Sequence, residues 1–173
     1  NTLGGAKTFD AQAGYESAMT MNAVLMAGAN YMWHSAGWNE AGMHCSVAKF
    51  IVDAEICEMG YRMAEGVNWD DFDVALSAIT DVGPGGHYLG HPHTLEHFQK
   101  AFFMPEMFDN NSIEQWQAEG AIEINERALK KAGVMLNEYE EPKLDEGVNE
   151  ALLEYIARRE REIPAADALN QEY

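Results

Sequence analysis

The chain has 173 residues, of which 47% are hydrophobic and 23% are charged, so its composition is that of a folded globular protein rather than a disordered one. Its 29 acidic and 11 basic side chains give a net charge of −18, which disfavours nucleic acid and anionic membrane surfaces as partners. A cationic ligand or a basic patch on a partner protein suits this charge better, and no apolar run approaches the length of a membrane span.

Apolar residues at helical spacing, together with capping residues, predict several helices. Asp10 is placed to cap the first helix, and Ser112 with Gln115 has the spacing of a capping box. The predicted helices cover residues 11–29, 46–65, 69–82, 112–137 and 144–162, with one or two further helical turns within 94–102. No internal repeat or linker interrupts them, so residues 1–173 are expected to belong to a single domain.

Residues 30–36, Asn-Tyr-Met-Trp-His-Ser-Ala, form a short aromatic-rich run that predicts a buried strand, followed by a loop over 37–44. A lone strand needs neighbours for its unpaired backbone groups. The sequence therefore predicts an α/β fold, mostly helical within this chain, whose other strands lie outside it. The alternative is that residues 30–36 are helical and that the chain is an all-α bundle.

Four histidines lie within eleven residues, in the string GGHYLGHPHTLEH: His87, His91, His93 and His97. Imidazoles at this density suit a metal such as zinc, yet no cysteine lies nearby and Glu96 is the only acid among them. Three interpretations stay open. The segment is a metal site, a loop that lines a cofactor or substrate cleft, or a packed loop whose neutral histidines form hydrogen bonds.

A second group of candidate residues follows the predicted strand. His34 lies near its C-terminal end, and Trp38 and Glu40 lie in the next loop. Ligands of parallel β/α folds bind where strands end and loops begin. Aromatic faces with a carboxylate suit a methylated ammonium, because each well-placed ring contributes about 0.5–2 kcal/mol. Alternatively, the aromatic residues of this segment, Tyr31 and Trp33 above all, pack against helices as core.

The two cysteines, Cys45 and Cys57, form neither a Cys-x-x-Cys motif nor a disulfide-dense pattern. This favours reduced thiols in a cytoplasmic protein. The first residue is Asn1 rather than Met, so we expect that a preceding segment was removed or that the chain is a piece of a longer one.

Six strings occur in order along the chain: FDAQAGYES at 9–17, AGAN at 27–30, DVGPGGHYLGHPHTLEHF at 81–98, FFMPEMFD at 102–109, EQW at 114–116 and IARREREIP at 156–164. Together they resemble the C-terminal region of the trimethylamine methyltransferase (MttB) family. The resemblance covers nearly the whole chain, and the match that begins with the histidine-rich string is long and specific.

This resemblance implies the C-terminal part, roughly the final third, of a (β/α)8 TIM barrel that is inactive as this piece alone. Members of the family transfer a methyl group from trimethylamine, or from quaternary amines such as betaines, to the cobalt of a cognate corrinoid protein, as in methylamine metabolism and methanogenesis. Co(I) displaces a neutral amine from the methyl carbon. The resemblance further implies a corrinoid carried by the partner protein, no metal bound directly, and a homo-oligomer in the complete enzyme.

The family's own string contains His87, His91 and His93, which the resemblance places at the mouth that faces the corrinoid or the substrate. His34 lies where the imidazole of a betaine-binding member would hold the substrate's carboxylate. Trp38 and Glu40 are the other two residues expected to bind substrate.

Trimethylamine-specific members of the family carry pyrrolysine, which is encoded by an in-frame amber codon. No such residue occurs in this chain, so the catalytic residue stays unassigned. A gene split at that codon would explain a chain that begins at Asn1.

Two functions of other classes stay open beside this one. The first is a small metal-dependent hydrolase that uses His91, His93 and His97. The second is a non-catalytic helical subunit that docks onto another polypeptide through an exposed apolar face.

Overall fold

A computed structural model describes residues 3–163, which form seven α-helices and one two-stranded sheet. The helices are α1 (Ala11–Met26), α2 (Val47–Glu65), α3 (Phe72–Val82), α4 (Pro92–His97), α5 (Ile113–Ala118), α6 (Ile124–Asn137) and α7 (Glu146–Glu162). The strands β1 (Trp38–Asn39) and β2 (His44–Cys45) are antiparallel, and a 3-10 turn, Glu40–Gly42, joins them.

The chain divides into two compact units, residues 1–137 and residues 138–173. Helix α7 belongs to the second unit, and the other elements belong to the first. Within residues 3–163, no helix combines the length and the apolar character needed to cross a membrane.

Side-chain caps mark the starts of five of the described helices, α1, α2, α4, α5 and α7. Asp10 accepts a hydrogen bond from the backbone N–H of Ala13, at 3.1 Å, and Ser112 accepts one from Gln115 N–H at 3.2 Å. Asp145 caps α7 in the same way. Each bond satisfies a backbone donor that has no partner inside the helix. The caps predicted at Asp10 and Ser112 are thereby confirmed.

The core of the first unit lies where α2 packs against α6 and α1. Its buried residues are Ala48, Val52, Met107 and Ala128. The two alanines leave little side chain between α2 and α6, so these helices approach closely. Few large apolar side chains are buried, and many along residues 3–163 face solvent.

A buried ion pair ties the start of the hairpin to the helices. Lys49 and Asp53, one turn apart on α2, are each 1% exposed and pair through Nζ and Oδ2. Lys49 Nζ also donates to Ser17 Oγ on α1 at 2.8 Å, and Asp53 Oδ2 accepts the backbone N–H of Gly37 at 2.9 Å. Gly37 has a φ of 82°, and a Cβ there would lie 2.7 Å from Cys45 Sγ, so the close approach requires glycine.

The predicted strand at residues 30–36 is wrong, and so is the helical alternative, because the segment is an irregular, bent stretch. Gly28 ends α1 with a φ of 67°, and His34 has a φ of 54°, a left-handed conformation that interrupts an extended run. Tyr31 and Trp33 are 74% and 59% exposed, so they are not the buried core of a strand. The described residues are mostly helical with one small antiparallel sheet, which is consistent with a piece of an α/β domain.

The single helix predicted over residues 112–137 is two helices, α5 and α6. The break between them holds Gly120 at a φ of 98° and Ala121 at a φ of 52°. Trp116 Nε1 donates to the carbonyl oxygen of Ile122 at 3.2 Å and so closes this turn. The tight turn replaces the helical hydrogen bonds that a continuous helix would have made there.

Candidate functional site

Four rings of residues 31–38 form a connected aromatic cluster: Tyr31, Trp33, His34 and Trp38. Neighbouring rings meet edge to face. The ring centroids are 5.9 Å apart for Tyr31 and Trp33, 5.4 Å for Trp33 and His34, and 5.4 Å for His34 and Trp38. Trp33 Nε1 also donates a hydrogen bond to His34 Nε2. The structure therefore brings His34 and Trp38, two of the residues expected to bind substrate, into direct contact.

This cluster borders a cavity of about 450 Å³ between residues 29–35 and the helices α1 and α2. Tyr31 and His34 line the cavity, opposite Met21 and Cys57, whereas Trp38 touches His34 without lining it. Cavities of about 300–1,000 Å³ are typical of small-molecule sites. The size and the aromatic wall suit a small organic ligand.

The side chain of Glu40 pairs with His44 rather than with the aromatic cluster. Its carboxylate lies 3.5 Å from Nδ1 of His44, and both side chains are about half exposed. Asn39, between Trp38 and Glu40, is fully buried, and its Oδ1 has no hydrogen-bond partner within the described part of the chain. Asn39 carried no signal in the sequence, because an isolated amide in a loop resembles any turn residue.

The backbone around these residues is strained. Four non-glycine residues in the described part of the chain have a positive φ, and three of them, His34, Glu40 and Ala41, lie within eight residues. Left-handed conformations of such residues are costly and concentrate at functional sites. The hydrogen bonds from Glu40 N to Ala6 O and from Ala41 N to Gly4 O, at 2.9 and 2.8 Å, hold this turn in place.

Burial raises the pKa of the Cys57 thiol on the cavity wall, and a hydrogen bond from Ser35 partly offsets that rise. A thiol with a raised pKa carries less thiolate near neutral pH, so it is a poor nucleophile. Cys57 thus contributes a surface to the cavity rather than a reactive group.

We expect iodoacetamide to label Cys45 faster than Cys57 at pH 8, because Cys45 is exposed and Cys57 is half-buried with a raised pKa. Peptide mapping by mass spectrometry measures both rates in one sample, and Cys45→Ser and Cys57→Ser variants assign the signals. Equal rates at the two thiols would contradict the described burial of Cys57.

The histidines expected to face the corrinoid differ in their surroundings. His87 is exposed on the loop after α3. His91 caps α4, since its Nδ1 accepts the backbone N–H of His93 at 3.2 Å, and its Nε2 lies 3.9 Å from Asp81 Oδ2. Of the three, His87 is exposed, whereas His91 and His93 are partly buried and lie near carboxylates.

His93 and His97 stack on one face of α4, with ring centroids 4.3 Å apart. Asp71 Oδ2 lies 2.9 Å from His97 Nε2 and 3.8 Å from His93 Nε2. The three side chains line an open cleft of about 840 Å³. The hydrolase alternative expected His91 as the third member of a group with His93 and His97. In the structure, the third side chain beside these two histidines is Asp71.

Asp71 carried no signal in the sequence, because it lies more than twenty residues before His93 and inside a predicted helix. The signal for His97 was its spacing of four residues from His93, which places two side chains on one face of a helix.

Comparison with known proteins gives one consistent result. A sequence model of the family described as trimethylamine methyltransferase (MTTB) matches residues 1–164. A glycine betaine methyltransferase of Desulfitobacterium hafniense (strain Y51) is 37% identical over 161 residues, which cover 93% of this chain and 33% of that protein. The trimethylamine methyltransferase MttB of Desulfitobacterium hafniense (strain DSM 10664 / DCB-2) is 29% identical over 95% of this chain and 33% of its own length.

An L-carnitine:corrinoid methyltransferase of Eubacterium limosum is 30% identical over 142 residues, which are 81% of this chain and 29% of that protein. The chain thus spans about a third of the length of the curated relatives that it matches.

Proposed function

Because this chain belongs to the trimethylamine methyltransferase family, we propose that it is part of an enzyme that transfers a methyl group from a methylated amine to a corrinoid protein. The substrate is trimethylamine or a quaternary amine such as a betaine, and the acceptor is the cobalt of the corrinoid. The named activities of the relatives support this class of reaction. The observation that carries the proposal within this chain is the aromatic cluster beside the 450 Å³ cavity.

The aromatic cluster supplies what a methylated ammonium needs. Ring faces attract a cation and offer it no group to react with, at about 0.5–2 kcal/mol for each well-placed ring. Tyr31 and His34 form part of the cavity wall, and Trp38 holds the His34 ring through an edge-to-face contact. The chain's part in the reaction is to hold the amine, orient one methyl group and exclude water.

In this proposal, Glu40 interacts with the positive charge of the amine, and His34 interacts with the carboxylate of a betaine. The Glu40 carboxylate does not line the cavity, so it attracts the ammonium group only through its charge, and the chain's net charge of −18 acts in the same direction over a longer range. The His34 imidazole holds the carboxylate of a betaine, when the substrate has one, by a hydrogen bond from the ring.

The loop after α3 is the surface that would face the corrinoid. His87, Tyr88 and Leu89 are all exposed there, with Tyr88 and Leu89 at 44% and 81%, so the loop offers an imidazole and two apolar side chains to a large planar ring. His91 and His93 support this loop from within through their own contacts. The corrinoid supplies a cobalt nucleophile when its carrier protein is bound.

Exposed apolar surface supports the proposal that this chain is one part of a barrel. Besides the many exposed large side chains, a mainly apolar cavity of about 710 Å³ lies between α1 and α2, with Phe108 and Ile124 on its wall. Patches of this kind usually mark a surface that another segment covers.

Intact mass and peptide mapping of the native polypeptide that contains GGHYLGHPHTLEH test this view. A heavier chain with a pyrrolysine peptide indicates a trimethylamine enzyme, and a heavier chain of ordinary residues indicates a quaternary amine. A native mass of 19.3 kDa would contradict the proposal that the chain is part of a larger barrel and would favour the non-catalytic subunit.

Replacing Trp38 by alanine is expected to raise the KM for the amine about 2- to 12-fold, because Trp38 holds the His34 ring on the cavity wall through an aromatic contact of about 0.5–1.5 kcal/mol. Steady-state methyl transfer by the native polypeptide, with saturating corrinoid protein, measures the change. Trp69→Ala removes an exposed indole that packs on Phe72 and serves as the matched control. An unchanged KM in Trp38→Ala would remove Trp38 from the substrate site.

A further inference from the structure

The histidine pair on α4 and Asp71 form a cluster with the composition of a metal site. One donor atom from each of Asp71, His93 and His97 lies within 4.8 Å of the others. Helix α4 sets the histidine spacing, because residues four apart on a helix share a face. The stacked rings place both Nε2 atoms beside the same oxygen, Asp71 Oδ2.

The hydrogen bond at the other side of the His97 ring fixes its tautomer. Its Nδ1 lies 2.8 Å from the carbonyl oxygen of His93, and a carbonyl oxygen only accepts, so Nδ1 carries the proton. In the neutral ring, Nε2 then presents a lone pair to Asp71 Oδ2, 2.9 Å away. Two acceptors at this distance need a proton or a cation between them. A ligating histidine whose second nitrogen donates to a carbonyl is the usual arrangement in metal sites.

His93 gives a second, independent indication. Its Nε2 is buried and has no hydrogen-bond partner in the part of the chain that the structure describes, although Asp71 Oδ2 is 3.8 Å away. Buried polar atoms without a partner are rare and costly. An imidazolium at His97 would explain the short contact to Asp71, but it would leave His93 Nε2 without a partner. A cation bound by both rings and the carboxylate satisfies all three groups.

We propose that Asp71, His93 and His97 bind a divalent transition-metal ion, with zinc the best match. Two imidazole nitrogens and one carboxylate oxygen are a known donor set for zinc sites that keep an open fourth position. That position faces the 840 Å³ cleft, where a water or an anionic group attracted by Arg62 and Lys100 on the cleft wall completes the coordination. The site replaces the expectation, taken from the family resemblance, that no metal binds directly.

Binding requires small rearrangements of the side chains. Zinc lies about 2.0–2.1 Å from a histidine nitrogen and about 2.0–2.2 Å from a carboxylate oxygen. The ring planes, now 19° from parallel, must turn so that their lone pairs converge on one point beside Asp71. We therefore expect zinc to change the ring nitrogen signals of His93 and His97 in NMR spectra.

Zinc binding by the native polypeptide tests this proposal without any methyl-transfer assay, so it stands or falls independently of the proposed function. The protein is stripped with a chelator, reloaded with zinc and passed through gel filtration before elemental analysis. A competing chromophoric chelator gives the affinity. We expect one zinc per chain, and at least about 10-fold weaker binding in both Asp71→Asn and His97→Gln.

Asp73→Asn is the matched control, since Asp73 is an exposed carboxylate two residues from Asp71. Circular dichroism shows whether each variant keeps its helices, and His93→Gln decides the result if Asp71→Asn loses its fold. Substoichiometric zinc in the unmodified protein, or equal affinities in Asp71→Asn and Asp73→Asn, would overturn the proposal.

Discussion

Replacing Lys49 by methionine is expected to lower the free energy of unfolding by about 3–5 kcal/mol, since the change leaves the Asp53 carboxylate charged and buried without its partner. Asp53 then keeps the backbone N–H of Gly37 as a hydrogen-bond donor but no cation beside it, and Ser17 loses the ammonium that joins α1 to α2. Methionine fills most of the space of the lysine side chain. The loss of stability is therefore caused by the unpaired Asp53 charge rather than by a cavity.

Urea unfolding followed by circular dichroism measures this difference. Lys130→Met is the matched control, because Lys130 forms an exposed pair with Glu126 on α6, where the loss of an ion pair costs about 0–1 kcal/mol. Replacing both members of the buried pair, Lys49→Met with Asp53→Leu, is expected to recover part of the stability. A cost for Lys49→Met as small as that of the control would contradict the burial of the pair.

Glu55→Gln is expected to destabilise the protein by about 1.5–3 kcal/mol, the usual value for hydrogen bonds to a buried charged group. The carboxylate of Glu55 accepts the backbone N–H groups of Glu106, Met107 and Phe108, and so anchors the segment between α4 and α5 on α2. A glutamine keeps one acceptor oxygen and turns an NH₂ group towards these donors. The segment therefore loses part of its anchor.

Hydrogen exchange at the amides of Met107 and Phe108 measures this effect locally, and denaturant unfolding measures it globally. Glu58→Gln, an exposed change one turn further along α2, controls for the loss of an acidic charge. Unaltered protection of both amides in Glu55→Gln would show that the carboxylate does not hold the segment.

Helices with clear caps and apolar spacing could be predicted from the sequence. Helix α1 begins directly after the cap predicted at Asp10, and the bounds of α2 and α7 lie within two residues of those predicted. Local hydrogen bonds set these boundaries, so local sequence is sufficient.

The failures come from features that local sequence does not encode. Residues 30–36 have the composition of a strand, but no neighbouring strand in residues 3–163 pairs with them, and a left-handed His34 bends the segment. The break between α5 and α6 depends on a side chain, Trp116, that closes the turn on Ile122.

The residues of the candidate sites also fall into those that could be predicted from local sequence and those that could not. The aromatic cluster could be predicted because its members lie within eight residues, as could the histidine pair on α4. The part of Asp71 in the histidine cluster could not be predicted, because Asp71 meets the histidines only through the packing of α3 against α4. The burial of the Lys49–Asp53 pair could not be predicted either, because a Lys–Asp spacing of four residues is common on exposed helices.

Methyl transfer by the native polypeptide that contains these residues tests the proposed function most directly. The protein is incubated with a corrinoid protein from the same organism, reduced to Co(I), and with trimethylamine or glycine betaine in separate reactions. Mass spectrometry then follows the amine. The account predicts loss of one methyl group from one of these amines, dependent on the corrinoid protein and slowed in Trp38→Ala at low amine concentration. Unchanged amines under all these conditions would contradict it.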